Sequence, residues 1–508
     1  MKNLQKTINF KNMIFIFCIV FVLLLGIFIR TFALQHSDNL FADEFCLISN
    51  IISRNYFELF LPLDTYQCSP PLFLILGKIF FTIFGYDNIG LRILPYIYSV
   101  LSLISFTFLS FKIIKNKIGK LLSILSFSIS EWCIFQQMFF KQYISDIFFT
   151  TVVLLLAILL KDKKLSKSKL FVLGILSCLI VFFSYTAGFI ILCTLIVFCI
   201  KNIFESKSKQ EIKEKFKLFL YYMIPFSIIM AIFFFVNCLP AINNEFLQEF
   251  WNTNISYAYF LPKKYAQIKE FFQFFTSPFG RIYPSMFIFV STIILLTKKD
   301  KFLCGILYLP FVLAIALGYF KLYPLSPERL CLYLIPIFIL ILFKPLDFIS
   351  LKKKALSLFI ILPIFLNINY KKIFTQYVQF LNGKAIYVIN DYKYRYKKEK
   401  ITLFPQFIDI LYHSDITPND YFIRDYASGG IIDEKYSSKI NYQNMKWDEY
   451  SDFKDLETIP KNSNVYLYIS KEYHFDYDQL KEWINKNCTI IYNIKCYNAE
   501  FIKCKKIR

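Results

Sequence analysis

The sequence predicts a polytopic α-helical membrane protein of about 11 transmembrane helices, followed by a small C-terminal α/β domain. Three observations predict it. The 508 residues are 56% hydrophobic and 20% aromatic, with 61 Phe, unlike an ordinary soluble mixture. The apolar residues gather into runs such as Ile14 to Ile29, Leu94 to Phe111, Leu170 to Ile200 and Leu330 to Phe343, approaching the ~20 residues that cross a bilayer core. After residue 370 the texture changes to short alternating strand and helix patterns.

Charge orients the chain. Of the formal +22, only +4 falls in residues 371–508, where 22 basic residues meet 18 acidic ones. The rest concentrates in short loops: Lys2/Lys6/Lys11, Lys112 to Lys120, Lys161 to Lys169, Lys201 to Lys217, Lys298 to Lys301 and Lys344 to Lys354. Basic loops stay cytoplasmic, so the positive charge is a topology signal and not a nucleic-acid surface. With the N-terminus inside, spans are expected near 12–34, 90–111, 119–138, 143–160, 170–185, 187–204, 217–237, 282–297, 302–320, 329–343 and 355–370. Leu72 to Phe84 is too short for a span and carries Lys78, so an interfacial or re-entrant helix is expected there. Leu170 to Ile200 fits two tight spans hinged at Ser184 to Gly188. The N-terminal run lacks a small-residue cleavage site and reads as a span, not a cleaved signal.

The resulting organisation is a transmembrane domain over 1–370, with a large first outer loop at 35–89, and a soluble extracytoplasmic α/β domain over 371–508. In the tail, strands are expected at Asp420 to Arg424, Val465 to Ser470, Thr489–Asn493 and Glu500–Lys505, with helices at Phe407 to Tyr412 and Tyr477 to Asn487. Gly429-Gly430 matches no phosphate-binding loop. Most cysteines lie in or beside apolar spans as small hydrophobes. Cys46 and Cys68 share the first outer loop, and Cys488, Cys496 and Cys504 share the tail; pairing stays open in both. Three histidines in total argue against a His-based metal site.

The chemistry-bearing residues gather in outer segments. Asp43-Glu44 follows the first span directly, where each unpaired charge near the bilayer is costly. The plain reading of that pair is a solvated loop or a cap for the helix beginning near Phe45. Arg92 and Arg329 could be interfacial snorkelling residues, Lys141 and Tyr143 outer-end anchors, and Asp146 an ion-pair partner for Lys141.

The motifs Arg30 … Ala42-Asp-Glu-Phe45 … Ser69-Pro-Pro-Leu-Phe73 … Gly90-Leu-Arg92-Ile-Leu-Pro95 resemble the start of the family-39-type membrane glycosyltransferases. These are relatives of the protein O-mannosyltransferases and aminoarabinose lipid A transferases, with the C-type glycosyltransferase fold. Lys141-Gln-Tyr143-Ile-Ser-Asp146 is similar to that family's basic-x-Tyr-x-x-Asp segment. Tyr323-Pro-Leu-Ser-Pro-Glu-Arg329, followed by Leu334-Ile-Pro336, is similar to its late outer loop. The resemblance implies a cytoplasmic-membrane enzyme that passes a sugar from a polyprenyl-phosphate donor to a cell-envelope glycan, lipid or protein. It implies an inverting displacement, with Asp43 as general base and Glu44 either orienting it or helping to hold a divalent metal. Arg92, Lys141, Tyr143 and Arg329 are then candidates for binding the donor phosphate, because a departing lipid phosphate needs cationic clamps. Two positions depart from the pattern: Phe139 stands where many members carry an acid, and Ser69 where many carry His.

Two other readings compete. A polysaccharide polymerase or ligase using diphosphate-linked oligosaccharides would place its residues in a late outer loop, where Trp251, Lys263, Lys264 and Arg281 lie. A transporter or flippase for lipid-linked sugars would show internal repeats, and none is evident. Asp476-Tyr-Asp478 spells an Asp-x-Asp of nucleotide-sugar enzymes, but on the expected outer side it reads as a chance match.

Overall fold

The computed structural model describes residues 2–35, 42–64, 67–84, 88–245, 247–249, 265–276, 282–326, 329–348, 421–424, 441–444, 459–470, 477–495 and 499–507. The chain divides into two compact units, residues 1–37 with 47–373, and residues 38–46 with 374–508.

The first unit is helical. In chain order the helices are α1 (Lys2–Gln35), α2 (Ala42–Ser53), whose residues 42–46 belong to the second unit, α3 (Pro71–Phe84), α4 (Asn88–Ile113), α5 (Lys117–Ser128), α6 (Glu131–Gln136), α7 (Tyr143–Leu160), α8 (Lys167–Phe183) and α9 (Tyr185–Glu205). There follow α10 (Lys209–Phe233), a π-helical turn Phe234–Cys238, α11 (Leu239–Ile242), α12 (Tyr265–Thr276), α13 (Ile282–Lys299), α14 (Lys301–Tyr319) and α15 (Ile335–Phe343). Among the described residues, six helical stretches are long and apolar enough to cross a membrane: Asn12–Leu34, Arg92–Ile113, Tyr143–Leu160, Tyr185–Glu205, Lys209–Ile242 and Lys301–Tyr319. On α1, Phe17, Phe21, Leu24 and Phe28 remain exposed, an apolar face of the kind that meets lipid.

The expected hinge falls at Ser184, which ends α8 and caps α9, its Oγ accepting from the Ala187 N–H. The segment Leu72 to Phe84 lies within the 14-residue helix α3 (Pro71–Phe84), about 21 Å long at 1.5 Å per residue.

Two expected spans are corrected. Residues 119–138 form two helices, α5 of 12 residues and α6 of 6, with the chain turning at Ile129-Ser130. Apolar composition could not reveal the break, because its cause is remote: Arg30 takes the terminal carbonyls of α5, Ser128 O at 2.7 Å and Phe127 O at 3.3 Å. Residues 329–343 begin as a turn, and the regular helix α15 has only 9 residues. The expected span 355–370 lies outside the described residues, as do Trp251, Lys263, Lys264, Arg281 and Asp476.

Packing runs through α4 against α7, α8 against α10, α9 against α14, and α1 against α4 and α5. Gly174 lets α8 approach the backbone of α10, since a Cβ there would collide with the Tyr222 carbonyl. Phe271, Phe275, Phe289, Phe311 and Phe338 pack ring on ring where α12 to α15 meet.

In the second unit the described residues form a five-stranded mixed sheet in the order β2-β1-β3-β5-β4, from β1 (Tyr421–Arg424), β2 (Asn441–Asn444), β3 (Asn464–Ser470), β4 (Cys488–Lys495) and β5 (Ala499–Lys506). β1 pairs in parallel with β2 and β3, while β5 runs antiparallel between β3 and β4. Helix α16 (Tyr477–Asn487) packs on β4, and Val465, Leu467, Ile484, Ile502 and Cys504 are buried. β2, Asn-Tyr-Gln-Asn, carries no alternating apolar signal and was not expected from sequence.

Candidate active site

Asp43 and Glu44 occupy the first turn of α2. Glu44 is fully buried and shares one helix face with Leu47, Ile48 and Ile51, at spacings of three, four and seven residues. Asp43 precedes it by one residue, about 100° around the helix; its side chain lies outside what is described. The two acids are therefore not equivalent: Glu44 continues a buried stripe, which burial of a carboxylate tolerates only with partners. The far end of α2 is held by Lys78 of α3, whose Nζ donates to Ile51 O at 2.6 Å and Arg54 O at 2.7 Å. A cation at a helix C-terminus is well placed for the exposed carbonyls. That is the role of the one lysine that made α3 look unlike a span.

The segment 129–142, expected to be largely membrane-spanning, is instead where the candidate cations meet. Arg92 on α4 is buried and donates from Nε to Met138 O at 2.6 Å. Lys141 is buried three residues on and donates to Gln67 Oε1 at 2.8 Å. Gln142 exchanges bonds with the same stretch of the first loop, donating to Cys68 O and accepting from Ser69 Oγ, each at 3.3 Å. Phe140 inserts against Gly77 of α3, where a Cβ would occupy the space of the Phe140 ring. Tyr143 opens α7 immediately afterwards. Arg92, Lys141 and Tyr143 are thus brought to one junction by α3, α4, α7 and the first loop. Met138 O and Gln67 Oε1 are among the groups that orient the two cations.

Three residues at this junction were not singled out from sequence. Asn237, on the π-helical turn, donates to Phe60 O at 3.0 Å. The Tyr185 hydroxyl lies 2.9 Å from Ser69 O and 3.0 Å from Asn237 Oδ1. Gln67 receives Lys141. Their only sequence signal is a polar side chain at the edge of an apolar run, and a π-helical turn often marks a functional position.

Asp146 does not form the ion pair with Lys141 that its spacing allowed. Its carboxylate accepts from Ser184 Oγ at 2.5 Å and from Thr186, at the N-terminus of α9. Two hydroxyls and the positive end of a helix stabilise the buried carboxylate there, so Asp146 ties α7 to α9. Arg329 is exposed in the loop between α14 and α15. That loop reaches the same end of α7 and α9: Tyr323 packs on Phe189 at 5.0 Å, and residues 332–334 lie against α7. Burial, followed by the nearby Asp146 charge, pushes the Tyr323 phenol well above its ordinary range, so it remains a neutral donor.

Among the described residues no three His, Cys, Asp or Glu side chains converge on one point. Cys68, Cys488 and Cys504 are free thiols.

No family model matches this sequence, and no curated protein is similar to it by sequence. By structure the chain is similar to ArnT from Cupriavidus metallidurans, in a crystal structure bound to undecaprenyl phosphate. The TM-score is 0.51 at 11% identity, over 95% of this chain and 97% of that one. The chain has the C-type glycosyltransferase fold. At this identity the likeness concerns the path of the backbone, and each side chain of the C-type fold here has to be argued from its own geometry.

Proposed function

We propose that this protein transfers a sugar from a polyprenyl-phosphate donor to a cell-envelope acceptor at the outer face of the cytoplasmic membrane, with its N-terminus cytoplasmic and its C-terminal domain outside. The observation that carries this reading is the fold likeness, over 95% of this chain, to a protein whose structure holds undecaprenyl phosphate. The chemistry asks for two groups. An acceptor hydroxyl attacking the anomeric carbon must lose its proton, and a carboxylate within hydrogen-bond reach serves as general base. The leaving oxygen belongs to a lipid phosphate, whose charge has to be met by fixed cations.

Asp43 takes the proton in this mechanism. Glu44, buried on the inner face of α2, positions the helix end that bears it. Arg92 and Lys141 face the departing phosphate, already oriented by Met138 O and Gln67 Oε1, so little reorganisation accompanies charge development. Tyr143 and Arg329 complete the donor contacts. A single displacement inverts the anomeric centre.

The test is sugar transfer in proteoliposomes from a radiolabelled polyprenyl-phosphate sugar. Asp43→Asn is expected to lower the rate by about 100-fold or more, the lower range for a general base. Undiminished activity removes Asp43 from that role. Turnover of polyprenyl-diphosphate oligosaccharides alone would replace this reading with a polymerase or ligase.

A further inference from the structure

We propose that Arg30 is a positioning residue for the lipid-phosphate site: it fixes segment 129–142, and through it Lys141 and the carbonyl that receives Arg92. The inference rests on the polyprenyl-phosphate reading above. Arg30 lies near the end of α1 and is fully buried. α5 stops at Ser128 inside the bundle, so its last carbonyls lose their intrahelical donors where water is scarce.

The Arg30 guanidinium supplies the donor for Ser128 O and adds one at Phe127 O, which also accepts from the Ser130 N–H. Its two terminal nitrogens reach Gly26 O at 3.1 Å, Ser128 O at 2.7 Å and Phe127 O at 3.3 Å, and Nε is anchored on Ser99 Oγ of α4 at 2.9 Å. The carbonyl of Arg30 itself accepts from Gln137 Nε2 at 2.7 Å. One residue thus holds both ends of the stretch between α5 and the 137–142 turn. The next residue, Met138, orients Arg92, and Lys141 follows three positions later. The planar fork of arginine can serve two carbonyls and a hydroxyl together, which the single ammonium of lysine cannot do in the same geometry.

The experiment measures undecaprenyl phosphate binding to the full-length protein in nanodiscs, beside the melting temperature of each variant. Arg30→Lys keeps the charge and is expected to weaken the lipid at least tenfold. Gln137→Met cuts only the second tie and should weaken it severalfold. Ser99→Ala removes an anchor that does not touch the segment and should leave affinity within twofold. In turnover assays Arg30→Lys should raise the donor KM at least tenfold while kcat changes less than threefold.

Arg30→Lys and Gln137→Met binding within twofold of wild type overturns the positioning role. So does an equal loss in Ser99→Ala, which would reflect general loosening of the bundle. Should Arg30→Lys fail to fold, Gln137→Met decides alone, and unchanged affinity there overturns the role. Failure of the wild type itself to bind the lipid overturns the donor reading, and the Arg30 role with it.

Discussion

The two ends of the helical unit hold positive charge through overlapping sets of oxygens. At the end where α8 passes into α9, Arg30, Lys78, Arg92 and Lys141 are bonded to carbonyl, hydroxyl or amide oxygens. An exposed Arg54–Asp64 pair at 2.9 Å is the carboxylate contact of that first loop. At the other end, where α7 passes into α8 and α9 into α10, lysines meet carboxylates: Lys201 with Asp162 at 2.8 Å, Lys215 with Glu211 at 3.0 Å and Lys217 with Glu214 at 3.1 Å. Lys344 and Asp347 add a buried pair at 2.7 Å, which also holds the backbone N–H groups of Lys115 and Asn116. The difference is instructive because total charge is a poor guide to function. Ion pairs of lysine with carboxylate tie the chain, and Lys201 and Lys344 donate in addition to the Lys161 and Ile113 carbonyls.

The contrast can be broken from either end. The largest stability effect is expected from Lys344→Met, which leaves the buried Asp347 carboxylate without its cation and should cost about 3–5 kcal/mol. Thermal unfolding in detergent would report it, while the donor KM of the surviving folded protein should stay unchanged. Lys141→Met should act in the reverse sense. Loss of a hydrogen bond to a charged group, about 1.5–3 kcal/mol, corresponds to a roughly tenfold to hundredfold fall in donor kcat/KM, with a smaller change in melting temperature. A variant that loses stability and activity in proportion would erase the distinction between the two ends.

Gly77→Ala sharpens the comparison through packing alone. The new methyl meets the Phe140 ring, and overpacking of this kind costs about 1–3 kcal/mol. Because Phe140 immediately precedes Lys141, the donor KM should rise as well, without any charge being altered. The smallest effect belongs to Asp162. Its bond to the Lys201 ammonium holds the exposed carboxyl below the usual carboxylate range. Any contribution is therefore present above the ordinary carboxylate value and fades as pH falls through the lowered one. Asp162→Asn should leave melting temperature and activity at pH 7 unchanged within error, since exposed pairs are screened by water and salt.

Legibility followed the range of the interactions. The hinge at Ser184 was readable because a hydroxyl residue between two apolar runs is a local helix-cap signal, and the structure uses it as one. The strands β3 and β4 were readable because both show dense β-branched and aromatic residues. The break at Ile129-Ser130 was not, because Arg30 and Ser128 are 98 residues apart and nothing local marks the carbonyls they share. Likewise Asp146 and Lys141 had the spacing of a pair, and only the approach of Ser184 and Gln67 showed that each binds elsewhere.

By itself, then, the sequence determined that the chain spans membranes, where its basic loops fall, and which acids and cations stand near the ends of its helices. Those properties follow from apolar run length and local charge, which any window of about 20 residues contains. Only the tertiary structure decided that segment 129–142 is a junction, that Glu44 lies on the buried face of α2, and that Arg92 of α4 reaches the turn that carries Lys141. These depend on side chains reaching across scores of residues to satisfy backbone groups that water cannot serve inside a bundle, and no local pattern records which group will be reached.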